Sequence, residues 1–597
     1  MTKPIRIANC SGFYGDRLSA AREMVEGVPI DALTGDWLAE LTMLILARKQ
    51  AKRSNAGFAQ TFITQMEQVM GTCLDKDIKV VANAGGLSPD HCAEAVDEVA
   101  ARLGLSPTIA YIEGDNLLPR LKELHASGAI IDPLTREAIA DINYISANAY
   151  LGCWGIVEAL NRGADIVVTG RTTDAALVCG PAAWYHGWEK NDLDALAGAV
   201  VAGHVIECGT QATGGNYSFF EEIEGLEYLG FPFAEIAADG SSVISKHPET
   251  GGNVTIGTIT SQLLYEIDHP AYLGPDVTSR FDTIALAEIA KDRVRISGVV
   301  GEPPPETLKV SMTSWGGFRS DLSIALTGLD TSAKAALIER AFWHHCRTQP
   351  NDFASVETSL VHTNKMDPAT NEEAVATWRI TVKDPDEEKT KAIASTINDL
   401  ALASIPGFFA TKTAGVARPF GLHTAALLPR GLVTQQVTLL GQHTTTISSD
   451  TPTSTVDHRV PTQPRGFLPT GETLHAPLGV VAGARSGDKG GNANIGVFVR
   501  QADAYPWLEY FLTTERLRQL LPEIATLHIE RYTLPNILSL NFVIHGILGA
   551  GVAASTRQDP QAKSLGEWLR ARYVEVPKSL IAENDAATQY CKGRDGF

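Results

Sequence analysis

The stretch ADIVVTGRTTDAALVCGPAAW, Ala164 to Trp184, decides the fold. A run of β-branched residues ends in a glycine-bearing polar turn, and a pattern of small apolar residues begins directly behind it. Such a run bounded by Gly reads as a buried strand, and the segment after it as a helix. The theme recurs in IRIANCSGFYGD (5–16) and in TIAYIEGDNLLPRLKELHASG (108–128). It recurs again in IKVVANAGGLSPD (78–90), where Ser88 is the expected N-cap and Pro89 the first residue of the helix AEAVDEVAARLG. Strands that alternate with helices run parallel, because a parallel connection needs a crossover. The expected fold class is α/β, with a doubly wound parallel sheet over about residues 1–200.

Open parallel sheets gather ligands beyond the carboxyl ends of their strands. Ser11, Tyr14, Gly85, Gly86, Glu113, Asp115, Arg171 and Asp174 all follow such ends and are candidate site residues. Burial or a like-charged neighbour raises a carboxyl pKa, which suits Glu113 and Asp115 to acid–base work. Arg171 suits a substrate carboxylate, and Asp174 is a base or a helix cap. Capping competes with chemistry for Asp115 and Asp174 alike.

The segment IECGTQATGGN (206–216) is dense in reactive groups. Cys208 is a candidate nucleophile, with His204 four residues before it; a small buried thiol is the competing reading. Glu207 is a further candidate for catalysis, and Gln211, Thr213, Gly214, Gly215 and Asn216 are candidate substrate contacts.

The strand-like and helical patterns from 201 to 441 read as an α+β continuation of the same module. A Thr/Ser/Pro-rich linker is expected at 442–473, and a small α+β domain at 474–597. The small domain carries GARSGDKGGNANIGVFV, Gly483 to Val499. This is no P-loop, because Lys489 is followed by Gly rather than Ser or Thr and a strand pattern follows instead of a helix. It reads as a glycine-rich connection that gathers Arg485, Ser486, Asp488, Lys489 and Asn492, either as a turn or as contacts to an anionic substrate.

Composition removes other classes. A formal net charge of −19 over 597 residues argues against nucleic acid as a partner. The amino terminus has no signal-peptide pattern and no apolar run is long enough to span a membrane, so a cytoplasmic protein is expected. The cysteines have no CxxC spacing, and neither a disulfide framework nor a metal site is expected. No G-x-G-x-x-G opens a βα unit and no G-x-S-x-G is present, which disfavours a dinucleotide cofactor and an α/β-hydrolase.

Taken in order, ANCSGFYGD, VVANAGGLSP, GADIVVTGRTTDAALVCGP, GHVIECGTQATGGN, RSGDKGGNANIG and LNFVIHGILGAGV resemble the acyclic terpene utilization protein AtuA family over nearly the whole chain. The resemblance implies that the small domain is ferredoxin-like. It also implies work on branched acyl-CoA intermediates of citronellol and geraniol breakdown, and it assigns no catalytic residue. Together with the residues above it points to a lyase on a branched 3-hydroxyacyl-CoA or enoyl-CoA, acting on water or on a C–C bond. That enzyme needs no cofactor beyond the CoA of its substrate, and a homo-oligomer is expected. A Cys208-dependent thioester hydrolase or acyltransferase, and a non-catalytic subunit of a catabolic complex, are the alternatives.

Overall fold

The computed structural model describes residues 3–140, 142–402, 404–410, 416–448, 451–456, 462, 463, 465, 467 and 471–581. The strands of its first part are β1 (Ile5–Asn9), β2 (Ala32–Gly35), β3 (Lys79–Ala82), β4 (Ile109–Glu113), β5 (Tyr144–Ala149), β6 (Ile166–Thr169), β7 (Pro232–Ile236) and β8 (Ser242–Lys246), all but β5 in one sheet. The helices around them are α1 (Ala20–Glu26), α2 (Glu40–Lys52), α3 (Gln60–Asp75), α4 (Pro89–Leu103), α5 (Leu121–Ala126), α6 (Trp154–Asn161), α7 (Ala176–His186) and α8 (Leu193–Ile206).

Strands β1, β2, β3, β6 and β4 lie side by side and parallel, with Ile7 opposite Ala32, Leu33 opposite Val80 and Val167 opposite both Val81 and Ala110. Antiparallel strands extend both edges, β7 and β8 beside β1 and Gln436–Leu439 beside β4, within an eleven-stranded sheet. Alternate residues face opposite sides, and both sides are dry. On β1, Ile5 and Ile7 enter one core and Ala8 the other; on β6, Val167 opposes Ile166 and Val168. Helices α1, α3 and α4 cover one face through Met24, Phe62, Met66 and Val96. Helices α6, α7 and α8 cover the other through Ile156, Leu177, Val201 and Ile206. The expected doubly wound α/β sheet is present.

Local signals hold in part. Pro89 is the first residue of α4 and Gly104 ends it in the left-handed region at φ 70°. Ser88 precedes the helix without capping it by its side chain; its hydroxyl takes a hydrogen bond from Gln50 Nε2 at 2.9 Å.

The chain divides into two compact units, one of residues 1–313, 423–552 and 561–597 and one of 314–422 and 553–560. In the second, antiparallel strands including Ser355–Val361 and Val375–Asp384 carry the helices Thr331–His345 and Glu387–Leu400 over a core of Ile338, Phe342, Trp378, Ile393 and Ile397. In the first, a four-stranded antiparallel sheet runs in the order Ala482–Lys489, Asn492–Val499, Ser539–Ile544, Ile529–Leu534. Within the expected 442–473 linker, 449, 450, 457–461, 464, 466 and 468–470 lie outside the described residues, and Thr444–Thr446 is a strand paired with Gln436–Leu439.

Gly483–Val499 is less of a loop than its glycines suggested. Its first strand runs through Lys489, and only Gly490 and Gly491 turn, Gly490 at φ 63°. The other glycines make room for neighbours: a Cβ on Gly487 would lie 2.5 Å from Tyr265 Cε2, and one on Gly496 2.4 Å from Leu264 Cβ. The hairpin therefore lies directly on the 264–266 turn. Among the described residues no helix is long and apolar enough to cross a membrane.

Candidate active site

A cavity of about 1160 Å³ opens beyond the carboxyl ends of β1, β2 and β6 and is lined further by residues from 204–216, 265–275, 303–309, 423–427 and 488–492. Two of the strand ends share a pattern. Thr34-Gly35-Asp36 closes β2 and Thr169-Gly170-Arg171 closes β6, so one parallel sheet delivers a carboxyl and a cation to the same space.

Arg171 is the hub of the sheet side, with its side chain only 4% exposed. Its Nη1 donates to Leu38 O at 2.8 Å and to Asp174 Oδ1 at 3.0 Å, and its Nη2 donates to the Tyr150 hydroxyl at 3.0 Å. The guanidinium lies 4.3 Å from the centre of the Tyr150 ring and Lys309 Nζ 4.6 Å from it. The Tyr150 hydroxyl donates to Glu40 Oε1 at 3.3 Å, and Lys309 Nζ is 3.7 Å from the same oxygen. Burial raises the Glu40 carboxyl, but Lys309, His423 and Arg171 outweigh it and hold Glu40 well below the usual carboxylate range. Arg171 Nε is buried and has no hydrogen-bond partner among the described residues.

Beneath Arg171 sits Asp115, which accepts from its backbone N–H at 2.9 Å and from Asn148 Nδ2 at 2.7 Å. A Cβ at residue 170 would meet the Asp115 carboxylate at 2.4 Å, which requires Gly170 there. Asp115 is 2% exposed and off the cavity lining; it positions the end of β6, and burial first of all pushes its carboxyl up to about 6.

Carboxyls elsewhere in the cavity are driven the other way from Glu40. Burial, with Asp174 adding, pushes Asp36 up to about 8 against the opposing pull of Arg171, Asn83 Nδ2 and the Leu38 N–H. Burial, then Glu266 and Glu40, pushes Asp488 up to about 8 against Lys563. Glu207, with a side chain 10% exposed, is raised well above its ordinary value by burial and by Asp174, Asp36 and Glu266. Its Oε2 has no hydrogen-bond partner among the described residues, and its Oε1 stands 3.6 Å from His204 Nδ1. Burial lowers His204 to about 4, so this histidine is neutral near pH 7. The Cys208 thiol is pushed well above its usual range by burial and by Glu207.

The small C-terminal sheet contributes directly. Lys489 Nζ donates to Glu266 O at 2.6 Å, and Glu266 N donates to Asn494 Oδ1 at 3.0 Å. Glu266 sits at φ 55°, a left-handed conformation that costs a non-glycine residue about 1 kcal/mol or more. The hairpin thus clamps a strained carboxylate-bearing turn. Arg485 stacks 4.0 Å from the centre of the Tyr265 ring and donates to Gln211 Oε1, which fixes two residues of the lining.

Of the residues chosen from sequence, Arg171, Asp174, Glu207 and Cys208 line the cavity, as do Gln211, Gly215 and Asn216 and, from the hairpin, Asp488, Lys489 and Asn492. Others lie off the lining. Glu113 ends β4 opposite Gln436, and Tyr14 bonds Lys49. Ser11 donates to Phe13 O at 3.0 Å, Thr213 to Gly230 O at 2.8 Å, and Ser486 accepts from Gly566 N at 3.0 Å. Gly85 and Gly86 pack the β3–α4 turn, where a Cβ on Gly85 would meet Thr169 O at 2.6 Å, and Gly214 packs against Ile223.

Neither Asp115 nor Asp174 caps a helix, since α7 begins at Ala176 behind Ala175. Asp36, Glu40, Tyr150, Glu266, Lys309 and His423 escaped the sequence reading. The repeat of Thr-Gly-charged at 34–36 and 169–171 was a signal for Asp36.

The family comparisons cover most of the chain. Residues 5–439 match the model of the acyclic terpene utilisation family protein AtuA, and residues 476–575 match that of the AtuA ferredoxin-like domain. Neither a curated protein nor a solved structure matches the chain. With its strand-end cavity completed by the ferredoxin-like domain, the chain belongs to the acyclic terpene utilisation AtuA family.

Proposed function

We propose that the chain is a lyase that adds or removes water across the C2–C3 bond of a branched 3-hydroxyacyl or enoyl thioester, with CoA as the expected carrier. The observation that carries this reading is the pair Asp36 and Asp488, each pushed up to about 8 by burial and set in one cavity from separate parts of the fold. A carboxyl tuned near the working pH passes a proton in either direction. In dehydration Asp488, in its ionised form, takes the C2 proton, the C3–O bond breaks as the C2–C3 double bond forms, and Asp36, in its protonated form, gives its proton to the departing hydroxyl, which leaves as water. Hydration is the reverse. Arg171, which lines the cavity, pairs with an anionic oxygen of the substrate.

The cavity, at about 1160 Å³, slightly exceeds the roughly 300–1000 Å³ of ordinary ligand sites and suits a long thioester. The raised Cys208 thiol supports acid–base chemistry over a thiolate nucleophile. The test is a panel of branched 3-hydroxyacyl-CoA, enoyl-CoA and 3-hydroxy-3-alkylglutaryl-CoA incubated with the full chain and read by mass spectrometry. Gain or loss of water is expected. Cleavage of a C–C bond, or no change in any thioester, overturns the reading.

A further inference from the structure

On the ferredoxin-like sheet, His528 stands just before Ile529–Leu534 and His545 just after Ser539–Ile544, and His545 N donates to His528 O at 3.0 Å. The register pairs Ile529 with Ile544, so the two histidines are direct cross-strand neighbours, and Glu530, two residues from His528, shares their face. One ligand atom from each of the three lies within 4.8 Å of the others.

The spacing is not that of hydrogen bonding. His545 Nε2 is 3.4 Å from Glu530 Oε2 and His528 Nε2 is 3.7 Å from Glu530 Oε1. Both ring nitrogens of His545 are buried without a hydrogen-bond partner among the described residues. Ligands about 2.1 Å from a tetrahedral ion are about 3.4 Å from each other, and each imidazole approaches that separation from one oxygen of the Glu530 carboxylate. The Tyr532 hydroxyl donates to Glu530 Oε2 at 2.9 Å and orients the carboxylate, as outer-shell partners of metal ligands do. Glu530 and His545 also line the cavity.

We infer that His528, Glu530 and His545 bind one divalent first-row transition-metal ion at the edge of the cavity, with a coordination position left open. Two imidazoles and one carboxylate suit Zn(II) or Fe(II) and disfavour Mg(II), which takes oxygen ligands. This inference does not depend on the lyase reading, and its readout is binding rather than turnover. Among the described residues this is the one cluster of three such side chains within that reach.

The test uses the full chain, free of affinity tags and stripped with a chelator, titrated with Zn(II), with Fe(II) under anaerobic conditions, and with Mg(II), by calorimetry and metal analysis. One equivalent of Zn(II) or Fe(II) is expected, with Mg(II) far weaker, and the tighter of the two names the ion. His528→Ala, at a side chain 70% exposed and so harmless to folding, is expected to weaken binding about 100-fold or more. Tyr532→Phe is expected to weaken it about 10-fold. Equal binding by the parent chain and His528→Ala, no bound equivalent, or Mg(II) binding as tight as Zn(II) would overturn the inference.

Discussion

The carboxylates of the cavity divide between Glu40, held ionised by its cationic neighbours, and a larger group raised first by burial, to which Asp174 belongs although it bonds Arg171. Around Arg171, Glu40 has cations and a phenol beside it and is held ionised. Along Glu207, Glu266 and Asp488, acids face other acids and are pushed towards their protonated forms. Asp36, four residues before Glu40 in sequence, belongs with the second group. Asp36 and Glu40 both follow the carboxyl end of β2, Glu40 as the first residue of α2.

The strongest way to break this contrast is to remove its cation. Arg171→Leu leaves Asp174 and Glu40 without their buried partner and is expected to cost about 3–5 kcal/mol of stability. A denaturant titration that finds a loss below 1 kcal/mol would show the sheet-side network to be slack.

A smaller effect follows from the raised carboxyl of Asp36. Its folded value, about 8, lies above its ordinary 3.8, so between those limits the folded chain holds a proton that the unfolded chain has released. Stability contributed by this group is therefore complete below about pH 4 and falls as pH rises towards 8, by about 1.4 kcal/mol per pH unit at most. Asp36→Asn is expected to flatten that fall, measured by thermal melts across the range. An unchanged slope would place Asp36 in a more solvated setting.

The smallest effect sharpens the contrast from the other side. Cys208→Ala is expected to leave turnover within about twofold, since its thiol is held protonated. Abolished turnover with an intact fold would restore the nucleophile reading.

Much of the fold was legible, because each βα unit carries its strand, its glycine and its helix in one short stretch. β2 was not, being only four residues, ALTG, with a single β-branched side chain. Asp36 and Glu40 were lost with it. Tyr150, Lys309 and His423 join the site from separate elements and only through tertiary contact, and no local pattern marks them. Glu266 is similar, because a left-handed residue held by Asn494 and Lys489 depends on a strand more than 220 residues away. The hairpin misled for a physical reason: its glycines clear space for Tyr265 and Leu264, whereas in sequence they look like a flexible loop. His528, Glu530 and His545 are spread over 18 residues at the ends of two strands, and only the register brings them together.

The most direct test of the proton-transfer assignment is the turnover of a branched enoyl-CoA or 3-hydroxyacyl-CoA by Asp36→Asn beside the parent chain. A fall in kcat of about 10²–10⁴ with substrate affinity within a few-fold is expected. A kcat equal to that of the parent chain would contradict it.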